Sequence, residues 1–486
     1  MGINAEKSLY RQYEELIEKF DIQTNTIKEL TSTIKSLVEE LKEEKDKNIK
    51  LQELLEKALL EIERLKTNNK KDSSNSNKPS GSNGFKKVIT NRREKSDKLQ
   101  GGQNGHQFYS LSEDKVKELI GKGAEVEIIE VNKNNSNKNG RYKTVKVIDI
   151  EIKVGIKEYR YYPDKFGNYN IPNNIQPISY GENIKAVSTL LMNEFPNSTD
   201  GVKNIISSLT NNGIDLSKGT LINWNSSLAN LLTPEIENID RNLLNSHYLN
   251  VDESGIKIDG ENYNQICASN ETHTRLWVMK QKRHEDLETI LLLLNFMGVI
   301  VKDGTDIYNG FGICFSQCIS HILRYLKGLY DFISHIGPRK MAEFLSRCIM
   351  QRDELIAKGI TTFSSEKYNL LIKEYEDIIK IWKIEWMNDD KNHLYDEERK
   401  LLSRMEEDDK EQILYFLKDF KIPATNNQAE ADQRPTKIKQ KIGKFRSEEG
   451  ADNYTAIRSC INTYKKNKVN TLSALRNAFL GTPIIV

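Results

Sequence analysis

Three acidic residues, far apart in the sequence, are candidates for metal-dependent chemistry. Asp252 ends an alternating polar and apolar stretch, and Asp303 stands where a short apolar run ends. Glu430 follows the polar stretch 425–428, which offers a helix N-cap. Such carboxylates would repel one another without cations between them, which predicts divalent metal, Mg²⁺ with Mn²⁺ as a substitute. A two-ion site of this kind would suit in-line phosphoryl displacement, the chemistry of DNA cleavage and strand transfer.

Other acidic residues compete for these roles. The chain has 70 Asp and Glu residues, and Asp commonly ends or caps an element without any catalytic role. Asp306 and Asp432 lie close in sequence to two of the three candidates. The residue pattern by itself leaves these alternatives open.

The elements around Asp252 and Asp303 predict a sheet that would position them. Period-two stretches at 247–252, 262–268 and 274–279 predict a three-stranded meander, with Asp259-Gly260 as its first hairpin turn. A helical stretch at 285–296 and a buried strand at 298–301 follow. This order of elements predicts the opening of a ribonuclease-H-like fold, with carboxylates at the ends of neighbouring strands.

A long helical region, 319–420, separates this sheet from Glu430. We interpret it as an insertion at 319–422, between a first part of the core at 241–318 and a last part at 423–470, with a tail at 471–486. The third carboxylate would lie in the first turn of a helix that Arg434-Pro435 closes. The predicted fold class is therefore multidomain α+β, with a ribonuclease-H-like α/β core that carries a helical insertion.

The N-terminal segment 1–66 predicts a coiled coil. Apolar residues recur at heptad positions a and d over eight heptads without Pro or Gly, and Asn48 at an a position favours a parallel dimer in one register. We therefore expect a homodimer. The alternative is a helix that folds back on its own chain.

Segment 67–105 is a predicted flexible linker, rich in Asn, Ser, Gly and Lys. It holds nine basic residues against three acidic ones, so it could lie along DNA phosphates, although such a stretch is often only solvated. The candidates for DNA contact in it are Lys86, Lys87, Arg92 and Arg93.

Two further units are predicted before the core. Alternating stretches within 106–175 indicate a small antiparallel β domain. Segment 176–240 is helical, and the spacing of helix, Gly turn and helix around 204–224 resembles a helix-turn-helix, with Lys218 as a DNA contact. Any helical hairpin with a Gly turn would look the same.

More basic residues lie near the predicted carboxylate site. After Glu430 they could bind phosphate, or could form a solvated helix face: Arg434, Lys437, Lys439, Lys441 and Lys444.

Overall composition excludes several classes of protein. The 72 Lys and Arg residues nearly balance the acidic ones, so bulk charge identifies no partner. Five scattered cysteines argue against a disulfide-stapled secreted chain, and no apolar run reaches the ~20 residues that a bilayer requires. We expect a cytoplasmic protein without a membrane contact.

Short motifs in order along the chain resemble the IS66 family of bacterial insertion-sequence transposases. The matching motifs are Lys78-Pro79-Ser80, Gly101-Gly102-Gln103-Asn104-Gly105-His106, Thr220-Leu221-Ile222-Asn223-Trp224, Val251-Asp252-Glu253-Ser254, Asp303-Gly304 with Tyr308, Cys318 with His321 and Arg324, and Asn426-Asn427-Gln428-Ala429-Glu430 with Arg434-Pro435. The resemblance implies a DDE triad of Asp252, Asp303 and Glu430 that binds metal. It also implies that His321 and Arg324 help to hold DNA or to orient a metal ligand, and a packed or solvated His is the alternative. It further implies terminal inverted repeats and target DNA as partners, accessory proteins of the same element, and association with the bacterial nucleoid.

The sequence departs from the family pattern in three places. The usual pairs of Cys-x-x-Cys are missing, because no cysteine precedes Cys267, so no zinc is expected. Ala431 and Leu323 stand where the resemblance implies arginines. An alternative function is therefore a catalytically weak or silent relative that still binds DNA, and a third is a purely structural coiled-coil protein.

Overall fold

The structure is a computed structural model. It describes residues 2–70, 112–129, 144–150, 152–169, 171, 178–333, 335–390, 392 and 395–486. The predicted linker contacts Lys86, Lys87, Arg92 and Arg93 lie outside these residues. In the described part, no helix combines the length and apolar character needed to span a bilayer.

The N-terminal segment is one helix, α1 (Gly2–Lys70), as its unbroken heptad pattern predicts. The heptad a and d side chains that the structure describes between residues 13 and 62 are exposed in the single chain, for example Phe20 (68 %) and Leu41 (73 %). Exposure of an apolar stripe of this length to water is unfavourable, which favours pairing with another helix. That pairing stays a prediction.

The small β domain is not formed among the described residues of segment 106–175. That segment contains a helix, α2 (Glu113–Gly121), which Ser112 caps, while the described stretches 124–129, 144–150 and 152–162 contain no strand. Apolar side chains there are exposed, with Val145 at 86 % and Ile156 at 95 %. Alternation alone did not produce strands, because a strand needs a partner edge and a buried face.

After α1 and α2, four further helices precede the sheet: α3 (Glu182–Asn193), α4 (Thr199–Leu209), α5 (Lys218–Leu231) and α6 (Thr233–Leu244). The predicted helix, turn and helix correspond to α4 and α5. The left-handed residues of the turn are Asn211 and Asn212, not Gly213. Gly213 is required for close approach, since a Cβ there would lie 2.9 Å from the Thr210 carbonyl oxygen.

Five strands form one mixed sheet in the order β3-β2-β1-β4-β5. Their bounds are β1 (Tyr248–Ile258), β2 (Glu261–Ser269), β3 (Thr274–Met279), β4 (Val299–Lys302) and β5 (Cys314–Gln317). The predicted meander is confirmed, with Asp259 and Gly260 at positive φ in its tight turn. β4 pairs parallel to β1, and β5, which the sequence analysis did not predict, pairs parallel to β4.

The single helix expected at 285–296 is two short helices, α7 (His284–Leu287) and α8 (Leu291–Asn295). The predicted helical region that follows β5 is confirmed. It consists of α9 (Ile319–Tyr330), α10 (Gly337–Ala357), α11 (Ser365–Asn388), α12 (Asp396–Ser403), a π-helical turn (Arg404–Asp408) and α13 (Lys410–Lys418).

Three helices complete the chain: α14 (Asn427–Ile442), α15 (Glu448–Lys466) and α16 (Thr471–Phe479). The prediction that Arg434-Pro435 ends the first of them is wrong, because Pro435 lies inside α14. Burial of Gln433 and Thr436 on either side of it holds the helix against the protein, which outweighs the lost hydrogen bond of the proline.

The sheet is covered on both faces. Leu249 and Val251 point into the main core with side chains of α15 and α16. The opposite face buries Tyr248, Val299 and Val301 with Ile422, and Cys267 and Leu276 with Ala429 of α14. Side chains of β1 at positions 248, 250 and 252 therefore lie on the α14 face, since successive residues alternate.

The chain divides into two compact units. One combines α1 with the parts of the helical region at 324–343 and 375–404. The other contains the sheet, α2 to α8, α14 to α16 and the remaining parts of the helical region.

Candidate functional site

Two parallel strands place the first two carboxylates side by side. The register of β1 and β4 pairs Tyr248 with Val299 and Asn250 with Val301. Asp252 and Asp303 each follow the last of these pairs, Asn250 and Val301, by two residues, and they lie close enough for the charge of Asp303 to act on Asp252. The loop after β4 is held by Asp303 itself, whose Oδ1 accepts a 2.9 Å hydrogen bond from the Thr305 amide.

The first turn of α14 brings the third carboxylate to the same place. The Asn426 side-chain amide donates to the Val251 carbonyl oxygen at 2.6 Å, so the start of the helix is joined to the residue before Asp252. Glu430 lies one turn further, with its amide 3.3 Å from the Asn426 carbonyl oxygen. His321 Nε2 lies 3.8 Å from Glu430 Oε1, and both side chains are largely buried.

The electrostatics of Asp252 reflect this crowding of like charges. Its pKa is raised to about 8, first by burial and then by the negative charges of Glu253, Asp303 and Glu430. Lys437 acts in the opposite direction. In the described residues no hydrogen bond or ion pair is made to the Asp252 carboxylate, so its charge is compensated only at a distance.

Glu253 is a fourth acidic side chain at this edge, which sequence reasoning did not single out. It accepts a hydrogen bond from the buried Tyr308 hydroxyl at 3.1 Å and forms an ion pair with Lys282 at 2.8 Å. Burial and the neighbouring charges of Glu253 and Asp252 raise the Tyr308 pKa well above its usual range, which keeps that hydroxyl a donor. Adjacency to Asp252 was the only available signal, because both partners are distant in sequence.

The two rival acids lie in different surroundings. Asp432 is buried, pairs with Lys466 at 2.8 Å and accepts the Thr274 hydroxyl at 2.9 Å. Asp306 is exposed and binds Asn309, both through its side chain and through its carbonyl group. Asp432 is thus bound by residues of β3 and α15, and Asp306 by Asn309 in its own loop.

The basic residues predicted after Glu430 separate into two groups. Arg434, Lys437 and Lys441 follow Glu430 at helical spacing and are exposed, so they form a stripe on the face of α14 that begins at the carboxylates. Lys444, also exposed, lies just beyond the helix. Lys439 faces elsewhere: its amine donates to the Asn197 carbonyl oxygen at 2.9 Å, and burial lowers its pKa.

The remaining predicted contacts are spread over other elements. Lys218, at the start of α5, is exposed and pairs with Asp200 at 2.8 Å. Arg324 lies on α9 in the unit that contains α1. The structure therefore brings Asp252, Asp303, Glu430, His321 and Lys437 together, and places the other candidates outside this cluster or outside the described residues.

The donor set at this edge fits a hard divalent cation, since carboxylate oxygens are the ligands that Mg²⁺ prefers. In the described residues no three His, Cys, Asp or Glu side chains are already close enough to enclose a metal ion. Drawing like-charged carboxylates into such an arrangement requires a cation between them. The expectation that zinc is not bound stays a prediction from the sequence, in which Cys267 is the first cysteine and no Cys-x-x-Cys pair occurs.

The carboxylate cluster lies within a region that matches a known protein family. The model of the transposase IS66 family matches residues 187–453, which is more than half of the chain and includes the whole sheet and α14. A search of curated proteins found no match. The extent of the family match shows that this chain belongs to the IS66 family of transposases.

Proposed function

We propose that the chain is a DDE transposase that binds the terminal inverted repeats of its element and catalyses metal-dependent cleavage and strand transfer. Asp252, Asp303 and Glu430 are the triad. The sheet with its flanking helices is the ribonuclease-H-like core, and 319–422 is its helical insertion.

One observation carries the proposal: three carboxylates from β1, the end of β4 and the first turn of α14 meet at one edge, and their charges act on each other. The raised pKa of Asp252 supports it, because burial beside Glu253, Asp303 and Glu430 disfavours the charged form unless a cation compensates it. Structural acids such as Asp432 have a cationic partner in the protein.

Mg²⁺, with Mn²⁺ as a substitute, would be held by the three triad carboxylates. When bound, the metal supplies activation of an attacking water or 3′-hydroxyl and stabilisation of the leaving oxygen. The chain's own residues orient these carboxylates: Asn426 holds α14 on β1, and the Thr305 amide holds Asp303. His321 supports Glu430 from its buried side.

DNA would approach the carboxylates along α14. Arg434, Lys437 and Lys441 form a positive stripe that can neutralise phosphates next to the cleavage site, and Lys444 continues it. Lys218 at the start of α5, Arg324 and the linker residues Lys86, Lys87, Arg92 and Arg93 are further proposed contacts. The α4–α5 pair is the proposed reader of the repeats.

The exposed heptad stripe of α1 supports a homodimer, since two such helices would bury each other's apolar side chains. Transposition requires two DNA ends to be held together, which a dimer provides. Accessory proteins from the same element and a location on the bacterial nucleoid complete the proposal.

The test is Mg²⁺- or Mn²⁺-dependent cleavage and joining of DNA that carries the element ends. Asp303→Ala should abolish both reactions, while the matched control Asp306→Ala, an exposed acid three residues away, should retain them. Equal activity of Asp303→Ala and the intact protein would refute the triad.

Two substitutions favour a second candidate function, a silent relative that binds DNA without cutting it. Ala431 is exposed beside Glu430, and Leu323 is half-buried on α9, and neither supplies the positive charge that the family resemblance implies there. Binding of the element ends without cleavage, even with accessory proteins present, would establish this alternative. Restored cleavage in Ala431→Arg would then identify the missing charge as the cause.

A further inference from the structure

We infer that Asn426 and Cys318 form a buried link that positions all three carboxylates, so that Asn426 is a positioning residue for metal binding. The inference rests on the proposed function, because it concerns the same site. It assigns to Asn426 a role other than helix capping.

Asn426 is fully buried and makes bonds to two of the three elements. Its side-chain amide donates to the Val251 carbonyl oxygen at 2.6 Å, directly before Asp252. Its own carbonyl group accepts the amide of Glu430 at 3.3 Å. Asn426 thus bonds directly to the backbone of Glu430 and to the backbone of the residue before Asp252.

Cys318 connects this asparagine to the third element. The Asn426 amide donates to Cys318 Sγ at 3.1 Å, and the Cys318 amide donates to the Lys302 carbonyl oxygen at 2.8 Å, directly before Asp303. A further bond from the Ile319 amide to the Ala424 carbonyl oxygen, 2.9 Å, runs beside it. The link therefore ends next to each member of the triad.

The bonding of Asn426 is unusual for a residue at a helix start. An asparagine there ordinarily accepts a bond from the second or third amide of the helix, and Asn426 makes no such capping bond. In the described structure its Oδ1 is buried without a hydrogen-bond partner. A buried polar atom left unsatisfied weakens folding, so the orientation of this side chain is better explained by positioning than by stability.

The experiment measures Mn²⁺ binding to the full-length protein by the loss of the free-ion electron paramagnetic resonance signal, together with the Mn²⁺ dependence of end cleavage. Outer residues that orient metal ligands typically change affinity or activity by about 10–100-fold, so Asn426→Ala should raise the half-saturating Mn²⁺ concentration by that factor. Asp252→Asn defines binding that does not depend on the triad.

Asn462→Ala is the matched control. Asn462 is also a buried asparagine, and its side-chain amide also donates to a backbone carbonyl group of α14, that of Asp432 at 3.1 Å. Its bond is made to Asp432, the acid that pairs with Lys466, and not to a residue of the triad or its direct neighbour. Both variants should melt at lower temperature, but only Asn426→Ala should need more Mn²⁺ when both are assayed well below their melting temperatures.

A second pair of variants tests the link if Asn426→Ala does not fold. Cys318→Ala removes the acceptor of the Asn426 amide and should raise the half-saturating Mn²⁺ concentration, whereas Cys318→Ser keeps an acceptor and should stay near the intact protein.

Three results would overturn the inference. Mn²⁺ binding equal to that of the intact protein in both Asn426→Ala and Cys318→Ala would overturn it alone, with the proposed function untouched. An equal shift in Asn462→Ala would reduce the effect to general weakening of α14. Absence of triad-dependent Mn²⁺ binding in the intact protein would overturn the proposed function, and this inference with it.

Discussion

Two carboxylates of α14, only two residues apart, lie in opposite surroundings. Asp432 is enclosed by Lys466, Thr274 and Gln428, which neutralise it and bind its oxygens. Glu430 lies near Asp252, whose pKa is raised first by burial and then by the charges of Glu253, Asp303 and Glu430. The difference indicates that a buried acid paired with a lysine of the same chain has a structural role. Acids grouped beside other acids instead fit a site for a bound metal cation.

The largest expected effect is the loss of end cleavage when Glu430 is replaced. Glu430→Gln should lower end cleavage by about 10³-fold or more, because it removes a metal ligand that acts together with two others. The free energy of unfolding in the absence of metal should not fall, since one of several repelling charges is lost. Cleavage assays and urea unfolding measure the two quantities, and retained cleavage would contradict the assignment.

The converse experiment removes the cation from Asp432. Lys466→Met should lower the free energy of unfolding by about 3–5 kcal/mol, because it leaves a buried carboxylate without its partner. Urea unfolding measures this loss. If Lys466→Met cost no more than a surface substitution, Asp432 would not be the structural acid that the comparison requires.

The dependence of stability on pH sharpens the comparison further. Because the pKa of Asp252 is about 8 in the folded chain and 3.8 in the unfolded reference, the folded form binds the extra proton. Its contribution to stability is complete below pH 3.8 and is lost as the pH rises through about 8. Without metal, Asp252→Asn should therefore flatten this decline and melt about 2–4 °C higher at pH 8.

Added Mg²⁺ should reverse the order of the two melting temperatures at pH 8, so that the intact protein melts above Asp252→Asn. It binds only the folded form and should raise the melting temperature of the intact protein but not that of Asp252→Asn. Equal stabilisation of both proteins by Mg²⁺ would place the cation somewhere other than at the triad.

The smallest expected effect concerns two lysines of the same helix. Lys437→Ala should reduce the slope of log affinity against log salt concentration by about one, since one phosphate contact is lost. Lys439→Ala should leave the slope unchanged, because its amine is bound to the Asn197 carbonyl oxygen. DNA binding measured over a range of salt concentrations tests the pair, and equal slopes in both variants would disprove the stripe.

Local patterns predicted the central sheet better than its edge. The meander and its Asp259-Gly260 turn were predictable because alternation and turn chemistry are encoded by neighbouring residues. The four residues of β5 were missed, since so short a strand is defined by its pairing with β4 and not by its own pattern. For the same reason, the alternating stretches before residue 163 predicted strands that the described residues do not form.

The candidate site was predictable only as a set of residues. Asp252, Asp303 and Glu430 could be named from strand ends and a helix start, but the choice of Glu430 over Asp432 needed the partners on β3 and α15. Lys439 belonged to the same basic run as Lys437, and only its contact with Asn197 distinguishes the two. Long-range contacts of this kind leave no periodic trace in a sequence.

The sequence by itself determined the long helix α1, the hairpins of the sheet and the order of the helices, because each depends on residues within a few turns or a single loop. Tertiary structure decided that α14 continues through Pro435 and that the Asn426 side chain bonds to Val251. It also decided that Asp432 is the acid of α14 that pairs with Lys466. These outcomes depend on contacts between different elements: Asn426 and Val251 are 175 residues apart in the sequence, and Asp432 and Lys466 are 34 apart. There, packing and desolvation outweigh local propensity.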